Sequence, residues 1–266
     1  MDCISPSLPH SAFHVVIAGH AENTCYQYVL DMGLTNALVV VYRRVSPEEP
    51  LRTWTGRCGI RVEEKLLVPN HGRDAAAFYD YLLEHYNSPP VAMAFLHSHG
   101  PFDQVPGRQD PETVTSRLVG YYKALVNSDP IAEHVVTLKS PSADKSKYDG
   151  WWSHRRLLFP NFDVLNSSDP VCYAILDRYN VSAPEKSLES CCASFIMPGG
   201  KMTTYPYSMY LELRNYVLTA PDDQQTAREC FEYIVYRIYH EKPLGASKHV
   251  LEWYKTLPSF TVERKC

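Results

Sequence analysis

Short, unbroken apolar runs alternate along this chain with longer stretches whose apolar residues recur at helical spacing. Phe13-His-Val-Val-Ile-Ala-Gly19 and Ala37-Leu-Val-Val-Val-Tyr42 are β-branched and nearly continuous, as strands covered on both faces must be. Between them, Thr24 to Met32 predicts a helix, with Gly33 as its C-cap. Strand, helix, strand is the βαβ unit of a parallel sheet. Residues 43–64 are polar and broken by Pro47, Pro50, Gly56 and Gly59, which predicts a loop with at most a short strand in it. Lys65 to Pro69 predicts a third strand. Asp74 to Tyr86 then places Phe78, Leu82 and Tyr86 on one helical face, with an acid in the first turn.

Pro89-Pro90 ends that helix, and Val91 to Leu96 predicts another buried strand. Asp110 and Pro111 suit an N-cap and first helical position, and Val114, Leu118, Tyr121, Tyr122 and Leu125 continue the helix to about Val126. His134 to Leu138 and Ala193 to Met197 predict strands on either side of a long excursion that begins at residue 139. Tyr207 to Leu218 and Thr226 to His240 predict two closing helices. The expected architecture is α/β, with a mixed, mostly parallel sheet flanked by helices. It forms a single domain over residues 13–247, with a flexible N-terminus at 1–12 and a C-terminal tail at 248–266.

Composition narrows the function classes. A formal net charge of −4 gives no bulk attraction to nucleic acid or anionic membrane. The apolar run at Phe13 is about seven residues long, against the roughly 20 needed to cross a bilayer, and the first eleven residues are too polar for a signal peptide. None of the eight cysteines forms a C-x-x-C pair, which leaves a zinc ribbon without support. Adjacent Cys191 and Cys192 read as buried thiols. In a chain of this length the expectation is reduced cysteines and a cytoplasmic setting. Two sequons, Asn166-Ser-Ser and Asn180-Val-Ser, carry little weight in that setting.

Two polar turns carry the candidate chemistry. Asn70-His-Gly-Arg-Asp74 joins a strand to a helix. Gly72 lets backbone approach a ligand, Arg73 offers a planar fork to phosphate, and Asp74 can accept from a ribose hydroxyl or a base. An ordinary capped turn explains the same residues equally well. His97-Ser-His99 follows a buried strand, and period-two alternation points both imidazoles the same way, where they can share a divalent metal or hold a phosphate. His71, Asp74, Asp103 and Asp110 are available third ligands. Glu232 sits on the flank of an apolar helical stripe, where partial burial suits a general base and pairing with Arg228 or Arg237 is the plainer alternative. His20 and Glu22 follow the first strand, where open parallel sheets contact ligands. Trp151 and Trp152 read as anchors of the long loop.

Pro69-Asn-x-Gly-Arg-Asp74, a helix to His85-Tyr86, Pro90, and Phe95-Leu-His-x-His-Gly-Pro101 together resemble the family known as domain of unknown function 3431. Cys192 to Met197, Pro206 to Leu213 and Glu232 to Tyr239 extend the likeness, which spans about residues 13–243. Asp74 stands where that family usually has Glu, and His97-Ser-His99 replaces a Gln-Gly-His type of turn. The family's layout is similar to that of GT-A nucleotide-sugar glycosyltransferases, a Rossmann-related fold. That resemblance implies that His20, Glu22, Asn70, Gly72, Arg73 and Asp74 hold the nucleotide of a nucleotide-sugar donor. It implies that His97 and His99 hold Mn²⁺ or another divalent metal at the diphosphate, with His99 also assisting the chemistry. It implies Glu232 as the base for an acceptor hydroxyl. Two alternatives stand beside this one: a metal-dependent hydrolase or lyase built on His71, His97 and His99, and a non-catalytic nucleotide- or sugar-binding protein of the same fold.

Overall fold

The computed structural model describes residues 1–19, 26–43, 48–67, 71–97, 111–138, 170–181, 194–221 and 248–260. Its centre is β1 (Phe13–Ala18), all six residues of which are buried. A strand buried on both faces has no polar edge to spare, so its backbone groups must pair on both sides. They do. β1 pairs in parallel with β2 (Leu38–Arg43) and, on its other side, with β5 (Ala92–His97), so Val16 lies between Val40 and Phe95. β4 (Arg61–Leu66) adds in parallel to β2, and β3 (Thr53–Thr55) pairs antiparallel with β4. On the far side of β5, β7 (Phe195–Pro198) and then β6 (Val136–Thr137) are antiparallel. The strand order is β3-β4-β2-β1-β5-β7-β6.

The sheet is therefore mixed and not mostly parallel. Among the described residues three strand pairings are parallel and three antiparallel, with the parallel ones gathered at the centre. The reason is connectivity. After β5 the chain passes through α3 to β6, which runs the same way as β5 two positions out, and β7 then enters between them in the opposite sense.

Helices cover both faces. Alternate side chains of β1 face opposite ways, Val16 and Ala18 to one core, Phe13, Val15 and Ile17 to the other. The first core receives α2 (Arg73–His85), α4 (Pro170–Arg178) and α5 (Tyr207–Thr219). Its centre is a run of rings: Phe78 meets Phe95 edge-on at 5.0 Å, and Phe95 stacks on Phe195 at 5.0 Å. The second core receives α1 (Gln27–Leu30), α3 (Pro111–Val126) and α6 (Lys248–Thr256). Val250 of α6 is buried, Trp253 packs on the same core, and the Arg117 guanidinium lies 3.7 Å from the Tyr254 ring centroid. Residues 248–260, read from sequence as a tail, thus pack on the sheet domain. The predicted helix at Thr226 to His240 lies outside the described residues.

The cysteine expectation is overturned. Cys3 and Cys58 form a disulfide, Cα to Cα 5.4 Å, and Cys172 is also disulfide-bonded. The N-terminal segment crosses the turn at Gly33, where a Cβ would lie 2.1 Å from the Asp2 carbonyl oxygen, and the Ile4 N–H donates to Gly33 O at 2.9 Å. That crossing delivers Cys3 to the β3–β4 connection. Residues 1–12 are tied to the fold at these points. The pairing spans 55 residues, so no local spacing announces it. Closing a loop of that size restricts the unfolded chain, a contribution of about 2–4 kcal/mol. Replacing both cysteines by serine is expected to lower the urea-unfolding free energy by that amount, with the denaturant slope rising as the unfolded chain expands.

At the N-terminal end of β1, His14 is buried. Its Nε2–H donates to Ser11 O at 2.9 Å, and Nδ1 accepts from the Tyr81 hydroxyl at 2.6 Å, the arrangement of a neutral ring. Burial, aided by the nearby His85, lowers its pKa to about 4. The unfolded chain, with a histidine pKa near 6.5, then binds the extra proton at mildly acid pH while the folded chain does not. The stability His14 contributes is complete above about pH 6.5 and falls towards pH 4. Urea denaturation should show a loss of about 1.4 kcal/mol per pH unit across that window. His14→Gln, which keeps the donor to Ser11 O, should flatten the slope.

Candidate functional site

The parallel strands β4, β2, β1 and β5 all end along one edge of the sheet. Register places Ala18 beside Tyr42 on one side and His97 on the other. The Gly19 N–H still donates to Tyr42 O at 2.6 Å, and the Leu67 N–H to Arg43 O at 2.9 Å, so both strands run one residue further towards this edge.

The order of the strands reverses at this edge. From β1 the chain moves outward through β2 to β4, then crosses back to pair β5 on the opposite side of β1. α1, between β1 and β2, packs on one face; α2, between β4 and β5, packs on the other. α3, which follows β5, packs on the same face as α1. The strand order reverses at β1, with β2 on one side and β5 on the other, and open α/β sheets bind ligands outside the strand ends at such a reversal.

Gly72, Arg73 and Asp74 start α2 from the loop that follows β4, on this same rim. Gly72, which has no side chain of its own to cap the helix, occupies the N-cap in the left-handed region, with φ 78° and ψ 5°. Arg73 also has positive φ, 47°. Two successive residues in that conformation, one of them not glycine, are a local strain of the kind that collects at binding sites. Gly72 is buried, and Arg73 and Asp74 are partly so. A Cβ on Gly72 would lie 2.5 Å from Val217 Cγ1 and 3.2 Å from the Val217 carbonyl oxygen. The glycine thus serves contact with α5 as well as the turn itself, a role that the sequence alone does not distinguish from close approach of a ligand. His71 completes the clamp: its Nε2–H donates to Ala220 O at 2.9 Å, just past the end of α5.

That clamp has a bearing on Glu232. The chain leaves α5 at Ala220, against His71 and therefore on this rim, and the stretch carrying Glu232 begins from there. Glu232 itself lies outside the described residues, as do His20, Glu22, Asn70 and His99. For His97 the backbone alone is described, as the last residue of β5. Among the described residues, no cluster of three or more His, Cys, Asp or Glu side chains could hold a metal ion. Of the donor set expected for a metal, His97 with His99, the structure describes the His97 backbone alone, at the end of β5.

An ion network ties the end of β2 to β4, and sequence reading missed it because it sits in the stretch taken for a loop. The Glu64 carboxylate on β4 is almost wholly buried. It accepts from Arg43 Nη1 at 3.1 Å, from the Arg52 N–H at 3.1 Å, and from Arg52 Nη2 at 2.8 Å. Burial opposes its ionisation, but the hydrogen bonds from Arg52 and the charges of Arg43 and Arg52 prevail and hold its pKa below the ordinary value. Arg43 also meets Glu49 at 3.2 Å. The last residue of β2 is therefore committed to carboxylates and anchors the rim.

No protein-family model matches this chain, and no curated protein matches it.

Gly72→Ala is expected to cost about 1–3 kcal/mol, from the left-handed backbone together with the contact on Val217. Adding Val217→Ala should return the steric part and leave the backbone part, which chemical denaturation of the single and double variants would separate.

Proposed function

We propose that the protein is a glycosyltransferase-like enzyme that binds a nucleotide sugar at the edge where β1 and β5 end and transfers the sugar to an acceptor hydroxyl. One observation supports this above the others: the strand order reverses at β1, and the helix that follows β4 starts on the same strand-end edge at a strained turn bearing Arg73 and Asp74. A diphosphate needs donors and positive charge, and a helix N-terminus that begins at a glycine and carries an arginine fork suits both. Asp74 is suited to a ribose hydroxyl. In this reading His20, Glu22 and Asn70 complete the nucleotide contacts, with Gly72 shaping the turn that presents them. The likeness to the domain of unknown function 3431 family and to the GT-A layout belongs to the same proposal.

Transfer needs a base for the acceptor and charge compensation for the departing diphosphate. Glu232 is the proposed base. His97 and His99 are the proposed ligands of a divalent cation such as Mn²⁺, which when bound would offset the diphosphate charge; as imidazolium the same side chains supply that charge themselves. The disulfides turn the expected location away from the cytoplasm and towards an oxidising compartment. No helix among the described residues is long and apolar enough to cross a membrane.

The test is titration calorimetry with nucleoside diphosphates and nucleotide sugars, with and without Mn²⁺. Arg73→Ala should weaken binding by roughly tenfold, as loss of a charge-assisted contact implies. Glu232→Gln should leave donor binding intact and abolish transfer. Absence of binding to every nucleotide tested would remove the proposal's basis.

A further inference from the structure

We propose that Asn180 is an N-glycosylation site, the acceptor of an oligosaccharide from a lipid-linked diphosphate donor. This inference is independent of the transferase reading. It joins two observations: a sequon, Asn180-Val181-Ser182, and disulfides of the kind that form and persist in an oxidising compartment. The helix that ends at this sequon, α4, carries one of those disulfide-bonded residues, Cys172, which is fully buried.

The local geometry turns Asn180 outward. α4 closes with the Asn180 N–H donating to Asp177 O and the Val181 N–H to Leu176 O, each at 3.1 Å. Asn180 takes the left-handed conformation that ends such helices, with φ 55°. Its neighbours face inward. The Tyr179 hydroxyl donates to Glu212 Oε1 of α5 at 2.7 Å, and Val181 is 2% exposed. Asn180 between them is exposed. A glycan on its Nδ2 extends into solvent without disturbing either inward contact.

In the transfer, a bond forms between Asn180 Nδ2 and the anomeric carbon of the donor sugar. The anomeric C–O bond to the donor diphosphate breaks, the diphosphate leaves with the bonding pair, and Nδ2 gives up one proton. Ser182 enters through recognition of the extended sequon, which precedes folding, so its place in the folded chain does not bear on the step.

The test directs the full chain into the secretory pathway of cultured eukaryotic cells and examines the secreted protein by peptide mass spectrometry. The peptide containing Asn180 should carry a glycan, and peptide N-glycosidase should release it and leave aspartate at 180. Asn180→Asp, which tolerates the left-handed backbone, and Ser182→Ala, which leaves Asn180 in place, should each remove one glycan. Asn166→Gln should retain the glycan at 180. Recovery of unmodified Asn180 from protein whose Cys3–Cys58 bridge has formed would overturn the proposal. So would a glycan mass unchanged by Ser182→Ala, or Cys3 and Cys58 recovered as free thiols.

Discussion

β1 is hydrogen-bonded on both sides and covered on both faces, and the rest of the molecule follows from that. A strand with no free edge and no wet face fixes its neighbours in register, because a slip of one residue would exchange the two cores. Val16 and Ala18 would then face the α3 side, and Val15 and Ile17 the Phe78–Phe95–Phe195 rings. The same double pairing puts β2 and β5 on opposite sides of β1, so the strand order reverses there. The edge proposed for binding is a consequence of that reversal, and needs no separate device.

The central strands were legible because burial on both faces leaves a run of apolar residues that no other element of that length requires. β4 was legible only at its end: the strand expected at Lys65 to Pro69 begins instead at Arg61. Arg61-Val-Glu-Glu64 reads as polar loop, and only the arginines around Glu64 make a carboxylate tolerable in the interior. Its partners, Arg43 and Arg52, come from two other segments, so no window of sequence contains the interaction. α6 was obscured in a similar way: Val250, Trp253 and Leu257 share a face, but their partner surface includes Gly120, far back in the chain.

The site was legible as chemistry and only partly as geometry. Helix start, glycine and acid were readable in Gly72-Arg73-Asp74 from local preferences. The positive φ of Arg73 was not, and neither was the contact of Gly72 with Val217, which depends on α5 arriving about 145 residues later. The His71–Ala220 bond is of the same kind. It joins the turn after β4 to the point where the chain departs towards Glu232, giving two distant stretches of sequence a common origin on one rim.

The Cys3–Cys58 bridge also changes the topology of the molecule as a covalent object. Residues 4–57 become the interior of a closed ring that contains β1, β2 and β3, three of the four strands from the sheet's centre to one edge. A backbone break anywhere in that ring leaves a two-chain molecule, not two fragments. The strand on which everything pairs is therefore held to its sheet by a covalent tie that survives the loss of any single connecting loop around it.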